Sequence, residues 1–397
     1  MVAAIVGSLG LLIGNVDRLI RSVDHLVENF RERNGDDSRP YPQCVRIAVE
    51  HQPVVPYSLQ HNVWATEALY WLAVEATNEC DEAVVLRVAC EPTRADALVE
   101  GAEECGEYPA VDVQSGKTEK RQIDPILKIR RPFADPVSVD LRIEIADERR
   151  ERTLVDDVRN VTVLPRTKFL WDLKNTSREA VLATLAVWTV RPRGEVARMG
   201  SELANGYESI DAWMRRAYDR VFEGLEIVVD DRWIPPPPGV DWIDISTPEA
   251  ILANRRAIPM EAALLFGALG YEVIRDRGAR IILISTREGD EAMEAPSVFV
   301  AWQSAEDLGR LRAVATSSGR SMSFEEATGN ANGRLRELRE SILEELNAES
   351  SNGVYYGAER NGLVVALELG RAISRHRFTG GLPNPEPSHG EAVGARQ

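Results

Sequence analysis

Residues 259–269 read PMEAALLFGAL and are followed by Gly270. An apolar run of this length, closed by a glycine, predicts a helix buried on all sides. Two short apolar runs come next, ARIILI at 279–284 and VFVAW at 298–302, which read as buried strands. Just upstream, Thr247-Pro248-Glu249 has the form of a helix start. It offers a capping hydroxyl, a proline at the first helical position and an acid in the first turn. Earlier still, Ile210, Trp213, Met214, Ala217, Tyr218, Val221 and Phe222 recur at helical spacing and predict another buried face. The chain from 175 to 377 is therefore expected to be a mixed helix-and-strand domain with a helical linker.

Upstream of Pro165 the period changes from helical to two. Val45, Ile47 and Val49 alternate with polar neighbours, as do Tyr70, Leu72 and Val74, then Val84, Leu86 and Val88. Val137, Val139, Leu141, Ile143 and Ile145 continue the pattern, and Val161 and Val163 close it. Turn signals at Asn78-Glu79, Glu91-Pro92, Ser115-Gly116 and Asp135-Pro136 separate the runs. Short alternating strands at such spacing predict an antiparallel sandwich of immunoglobulin-like type over 45–165. The fold class expected for the whole chain is α+β. Trp64, Trp71, Cys80 and Cys90 read as core of the sandwich. His51 and His61 lack the further ligands that a tetrahedral metal site needs, so no metal and no cofactor are expected.

The first 33 residues carry a different signal. Val2, Ile5, Leu9, Leu12, Val16, Leu19, Val23, Leu26 and Phe30 alternate steps of three and four, a heptad seam typical of coiled coils. Three readings stand: self-association, docking on the rest of its own chain or on a partner, and an interfacial membrane helix, the last disfavoured because the polar face is not basic. The apolar run from Val2 to Gly14 has no basic leader and falls short of the roughly 20 residues that span a bilayer. Pro235 to Pro238 read as a stiff connector. Arg334 to Leu346 predict one charged helix with Leu335, Leu338, Ile342 and Leu346 on its inner side, and 378–397 a disordered tail.

The chain has 63 acidic against 47 basic residues, a formal charge of −16. Such a field opposes binding of a phosphate backbone, so nucleic acid is not an expected partner. Only five of the basic residues are lysine, which reads as a bias of genome composition. Four cysteines without metal spacing or scaffold density point to a reducing cytoplasm, with a membrane-peripheral placement left open by the first helix.

The order "IPPPP… STPEAILANRRAIPMEAALLFGALGYEVI… APSVFVAW… LRAVATSSGRSMSFEEA" resembles the transglutaminase-like domain near the N-terminus of large bacterial helicase and nuclease proteins, a group linked to phage defence. The sandwich leading through "VTVLPRTKFLWDL" and the ending "VVALELGRAISRHRFTGGLPNP" resemble that family too, so the likeness runs over about 45–387. The resemblance implies a papain-like arrangement with a cysteine at the start of the PMEAALLFGAL helix. It also implies a histidine just before VFVAW and an acid just before Thr316. Matched residue by residue, those positions hold Pro259 (or Ile258), Pro296 (or Ser297) and Ala315. Ile258, Met260, Ser297 and Trp302, with the three matched positions, would bound the vestigial cleft.

Thiol catalysis needs a thiolate, a base and a group that orients the base. The chain has no cysteine after Cys105 and no histidine between His61 and His376, so no shift of alignment restores them. A carboxylate-based site is the enzymatic alternative, drawn from Glu249, Glu261, Asp276, Glu288, Asp290, Glu291 and Glu294, though no spacing selects a pair. The leading expectation is a non-catalytic adaptor or peptide-binding protein, in a prokaryotic defence or other multi-protein assembly. The alternatives are the replaced active site and a self-assembling or membrane-associated structural protein driven by the first helix.

Overall fold

The computed structural model describes residues 41–56, 72–93, 99–103, 111–123, 126–129, 133–170, 178–230, 242–288, 297–304, 307–316, 322–348, 350–359 and 362–375. The expected association helix, the proline connector and the C-terminal tail lie outside the described residues, as do His61, Trp64 and Trp71. Helices and sheets are both abundant, and the fold class is α+β.

The first half supplies β1 (Val45–His51), β2 (Val54–Pro56), β3 (Leu72–Asn78), β4 (Val84–Pro92), β5 (Val99–Glu103), β6 (Val111–Val113), β7 (Lys117–Ile123), β8 (Ile126–Ile129), β9 (Val137–Asp147) and β10 (Arg152–Leu164). One sheet has the order β1-β3-β7 and a second the order β2-β10-β9-β4-β6, while β5 pairs with β8. Alternate residues of both larger sheets enter one shared core, including Leu72 and Val74 of β3, Leu86 and Val88 of β4, and Ile143 and Ile145 of β9. Two sheets facing one core make a sandwich, and the period of two is its cause. All pairings in it are antiparallel except β2 with β10, where Thr162 lies beside Val54 in parallel register.

Two features of this half correct the reading of the sequence. Strand β4 runs through the expected turn at Glu91-Pro92, with Pro92 opposite Leu141. Cys44 and Cys80 form a disulfide with their Cα atoms 5.0 Å apart and a sequence separation of 36. Cys90 is disulfide-bonded as well. Cystines persist in oxidising surroundings, which removes the observation on which a reducing cytoplasm rested. Among the described residues no helix is long and apolar enough to cross a membrane.

At the end of β9, Asp147 is fully buried and accepts hydrogen bonds from Tyr41 Oη (2.9 Å), Arg150 Nη1 (2.8 Å) and the backbone N–H groups of Arg149 (3.0 Å) and Arg150 (3.3 Å). Burial alone would raise the pKa of this carboxyl. The bonds from Arg150, Tyr41 and the backbone outweigh that and hold it below the usual carboxylate range. Burial, followed by the hydrogen bond to Asp147, pushes the Tyr41 phenol up to about 12.

The second half contains β11 (Lys168–Leu170), α1 (Arg178–Ala183), a 3₁₀ turn (Thr184–Thr189), α2 (Gly194–Asn205), α3 (Ile210–Asp219) continuing into a π turn (Arg220–Gly224), and β12 (Val228–Val229). Next come β13 (Trp242–Asp244), α4 (Pro248–Asn254), β14 (Arg256–Ala257), α5 (Pro259–Leu269) and α6 (Tyr271–Arg277). After them follow β15 (Arg280–Glu288), β16 (Ser297–Ser304), β17 (Asp307–Ala315), α7 (Phe324–Arg334), α8 (Arg339–Asn347), β18 (Val354–Glu359), β19 (Gly362–Glu368) and α9 (Leu369–Arg375). The main sheet is antiparallel with order β17-β16-β15-β19-β18.

Its two faces bury different partners. Val298, Val300, Trp302 and Val314 face a large helical core that contains α5, from Glu261 to Leu269 buried throughout. Phe299, Ala301, Leu311, Ala313 and Ala315 face a smaller core completed by Ala331, Leu335, Ile342 and Leu346. Helix α5 packs so closely that a Cβ at Gly267 would stand 2.7 Å from Thr189 Cγ2 and 2.6 Å from Leu369 Cδ1. The single charged helix expected over 334–346 is two helices, α7 ending at Arg334 and α8 starting at Arg339.

Candidate functional site: the start of α5 and the ends of β16 and β17

Helix α5 begins after Ile258, which is extended (φ −87°, ψ 165°), and Pro259 occupies its first position. Glu261 reaches back to accept from Ile258 N (2.8 Å) and also from Ser246 N (2.6 Å), so this nearly buried carboxylate satisfies two backbone donors. The helix start meets the sheet through Thr316, the fully buried residue that follows β17. Thr316 N donates to Val298 O (3.1 Å), and its hydroxyl is shared between Pro259 O (3.1 Å) and Val298 O (3.0 Å). A single threonine thus latches the first turn of α5 onto the ends of two strands.

The residues named from the sequence divide over the two faces of the sheet. Ile258, Pro259 and Met260 are half-buried on the α5 side, where Met260 packs against the larger core. Ala315 lies opposite Phe299 in the strand pairing and is buried on the other face, so it does not meet Pro259. The side chain that does meet Pro259 is Thr316. Ser297 accepts a hydrogen bond from Arg334 Nη1 at 2.6 Å, which ties it to α7. Pro296 lies outside the described residues.

Trp302 is corrected from cleft wall to core pillar. It is 1% exposed, its indole N–H donates to Asp211 Oδ1 at 2.6 Å, and its ring stacks on Phe324 with centroids 6.2 Å apart. Asp211 also pairs with Arg312 at 2.7 Å, which places a carboxylate between an indole and a guanidinium. Reading VFVAW as one continuous apolar strand hid this, because the alternation of faces sends 297 and 299 to one side and 298, 300 and 302 to the other.

The acids singled out from the sequence do structural work where they are described. Glu249 accepts from Arg193 N at 3.2 Å, and Asp276 is forked by Arg275 at 2.6 and 2.8 Å. Asp290, Glu291 and Glu294 lie outside the described residues. Sequence reasoning passed over Asp219, at the end of α3. Burial and then the nearby Glu223 raise its pKa, Arg215 lowers it, and Glu325 adds to the rise. Beside it Tyr218 donates to Met322 O at 3.2 Å and is pushed up to about 12 by burial and then by Asp219, Glu223 and Glu326. Among the described residues no group of three His, Cys, Asp or Glu side chains could hold a metal.

Behind Ala315, between the smaller core face and α7, lies a cavity of about 500 Å³ whose walls include Phe299, Ala315, Met322, Asn330 and Arg334. It is a second space, distinct from the junction at Pro259.

No family model matches the chain, and a search of characterised proteins finds no match. Among solved structures the chain is similar to the ASH/PapD-like domain of human CEP192, with 10% identity and a TM-score of 0.18 over 33% of this chain and 94% of that one. It is also similar to native alpha-2-macroglobulin from Escherichia coli, spanning domain MG7 to the C-terminus, with 17% identity and a TM-score of 0.20. That match covers 49% of this chain and 31% of the macroglobulin chain.

Proposed function

We propose that the protein is a non-catalytic binding subunit, an adaptor for a peptide or protein partner, built on a transglutaminase-like scaffold behind an immunoglobulin-like sandwich. The observation that carries this reading is the composition of the junction at α5. A helix start, a strand end and a second strand end converge there, and the groups that face one another are Pro259, the Val298 carbonyl and Thr316. A thiol-imidazole reaction would need a nucleophile and a base at this convergence. Proline at the first position also removes a backbone N–H that could have stabilised an oxyanion. The hydroxyl of Thr316 is committed to two carbonyls and has no base beside it in those contacts.

The carboxylate-based alternative draws on acids that instead cap helices or pair with arginine, as Glu261 and Asp276 do. Defence or another multi-protein assembly remains the setting that the family resemblance suggests for this reading. The test is turnover by the purified full-length chain, offered casein with a fluorescent primary amine in one assay and a fluorogenic peptide mixture in another. The reading predicts neither amine incorporation nor cleavage above a protein-free blank. Product that rises in proportion to protein concentration and survives repurification would overturn it.

A further inference from the structure

Strand β10 carries charge where a sandwich strand ordinarily carries apolar side chains. Val155, Asp157, Arg159 and Val161 stand opposite Ile145, Ile143, Leu141 and Val139 of β9, on the core side of the sheet. Asp157 and Arg159 thus fill two consecutive core-side positions, paired with each other at 2.6 Å while 42% and 38% of their side chains stay in solvent. Between them, on the outer side, Val158 is 52% exposed, more than any other large apolar side chain among the described residues.

The edge of β10 away from β9 is covered at one end. Thr162 N donates to Pro53 O on that side, and β2 runs beside 162–164. Val158 N, four residues earlier and on the same side, donates to the Asp157 side chain at 2.8 Å, a bond that a backbone carbonyl from outside can replace. By the period of two, 156, 158 and 160 all present their N–H and C=O groups along this edge. At the far end the register shifts between Thr153 and Val155, an irregularity that bends a strand off its line. Among the described residues the stretch with no strand beside it is therefore 155–161, VDDVRNV, and its middle residue is Val158.

This stretch is complementary to itself. Laid antiparallel about a two-fold axis at Val158, a second copy pairs its 160, 158 and 156 with 156, 158 and 160, the positions whose backbone groups point outward. On the core side each Asp157 then stands opposite Arg159 of the other copy, and Val155 opposite Val161; on the outer side the two Val158 side chains meet. Arg159 Nε, which is buried and has no hydrogen-bond partner within the chain, gains a carboxylate beside it. Other axes fit worse. An axis at Asp156 sets two Asp156 carboxylates against each other, and like charges directly opposite are destabilising. An axis at Asn160 drives Val158 of the second copy onto Thr162, whose edge β2 already holds.

We propose that β10 is a self-complementary edge through which two copies of this chain pair two-fold, joining their sandwiches into one continuous sheet with Asp157 and Arg159 as the cross-subunit charge pairs. The contact is isologous and closes on itself, because it consumes the same edge in both copies. A seven-residue strand pair is a small interface, so the dimer is reversible and depends on concentration. The proposal goes beyond the binding reading above and does not rest on it: it lies in the first half of the chain and uses neither the α5 junction nor the family resemblance. It is also separate from any self-association through residues 1–33.

The experiment is small-angle X-ray scattering of the full-length chain over a concentration series up to about 1 mM, with hydrogen exchange of the 155–161 amides followed at both ends of the series. The scattering mass is expected to double as exchange in 155–161 slows. Asp157→Arg and Arg159→Asp should each weaken association at least about tenfold, since symmetry turns one change into two like-charge contacts. Mixed in equal amounts, these two variants should associate again, as should a chain carrying both changes. Val158→Lys should weaken association as well, and circular dichroism should show every variant folded. A mass that does not rise, an oligomer whose 155–161 amides exchange as fast as in the monomer, or a mixture of the two variants no tighter than either alone would each overturn the proposal. Failure here leaves the turnover blank intact, and turnover by the chain would leave this contact standing.

Discussion

Removing the carboxylate of Asp147 tests whether the sandwich is held at its end as described. Asp147→Ala leaves a phenol, a guanidinium and two backbone N–H groups without their shared acceptor, at a position with 0% exposure. Breaking a buried ion pair from one side costs about 3–5 kcal/mol. Tyr41 is only half-buried and Arg150 keeps 29% of its side chain in solvent, so both regain water and the expected loss is about 3 kcal/mol. Asp147→Asn keeps an acceptor for the backbone donors and should cost roughly half as much.

The pH dependence follows from the sign of the shift. The Asp147 pKa is lower folded than unfolded, so its contribution is present above the unfolded value, near 3.9, and disappears as pH falls through the folded one. Urea unfolding followed by circular dichroism should therefore show the gap between wild type and Asp147→Asn at full size from about pH 5 upward and closing toward pH 2. A gap below about 1 kcal/mol at pH 7, or one of constant size down to pH 2, would refute the carboxylate's role.

Asp211→Ala strips the acceptor from the buried Trp302 indole and the partner from Arg312, and should cost about 2–3 kcal/mol in chemical unfolding. Replacing Cys44 and Cys80 by serine opens a loop closed over a sequence separation of 36, for an expected loss of roughly 3–4 kcal/mol in chemical unfolding. Gly329→Ala should stabilise α7 by about 0.5–1 kcal/mol, measured as a rise in melting temperature, because its Cβ enters open space.

The elements written in one clear period were legible in the sequence. Strand β9 alternates over Val137 to Ile145 and buries that face, and the run at 259–269 is the helix its composition predicts. Where two signals overlap, the pattern shows only one of them. Gly270 closes α5 as expected, through its N–H to Phe266 O, but its own carbonyl accepts from Ile274 N and opens α6 at once. Leu335, Leu338, Ile342 and Leu346 keep helical spacing straight through the turn between α7 and α8, so the break left no mark on the apolar pattern.

Strand β7, KTEKRQI, exposes its first five residues and buries only Ile123, so it carries no alternating apolar signal. Its place is set by pairing along β3 at the edge of a sheet, where charge is tolerated and protective. The disulfide was illegible because it joins the residue before β1 to one just after β3, a proximity created by their antiparallel register. At the candidate site, a slip of one position separated Ala315 from Thr316, and in a strand that is the difference between the two faces. Arg312, Arg336 and Arg339, which line a cavity of about 280 Å³, come from β17, the turn between α7 and α8, and the start of α8, so only the fold assembles them.

Mass spectrometry of casein with a primary amine, and of a peptide mixture, after incubation with the full-length chain tests the central claim, that this scaffold does not react. The account predicts that after prolonged incubation casein and the peptides are recovered at their original masses. Recovery of hydrolysed or amine-exchanged peptide in amounts exceeding the protein would contradict it.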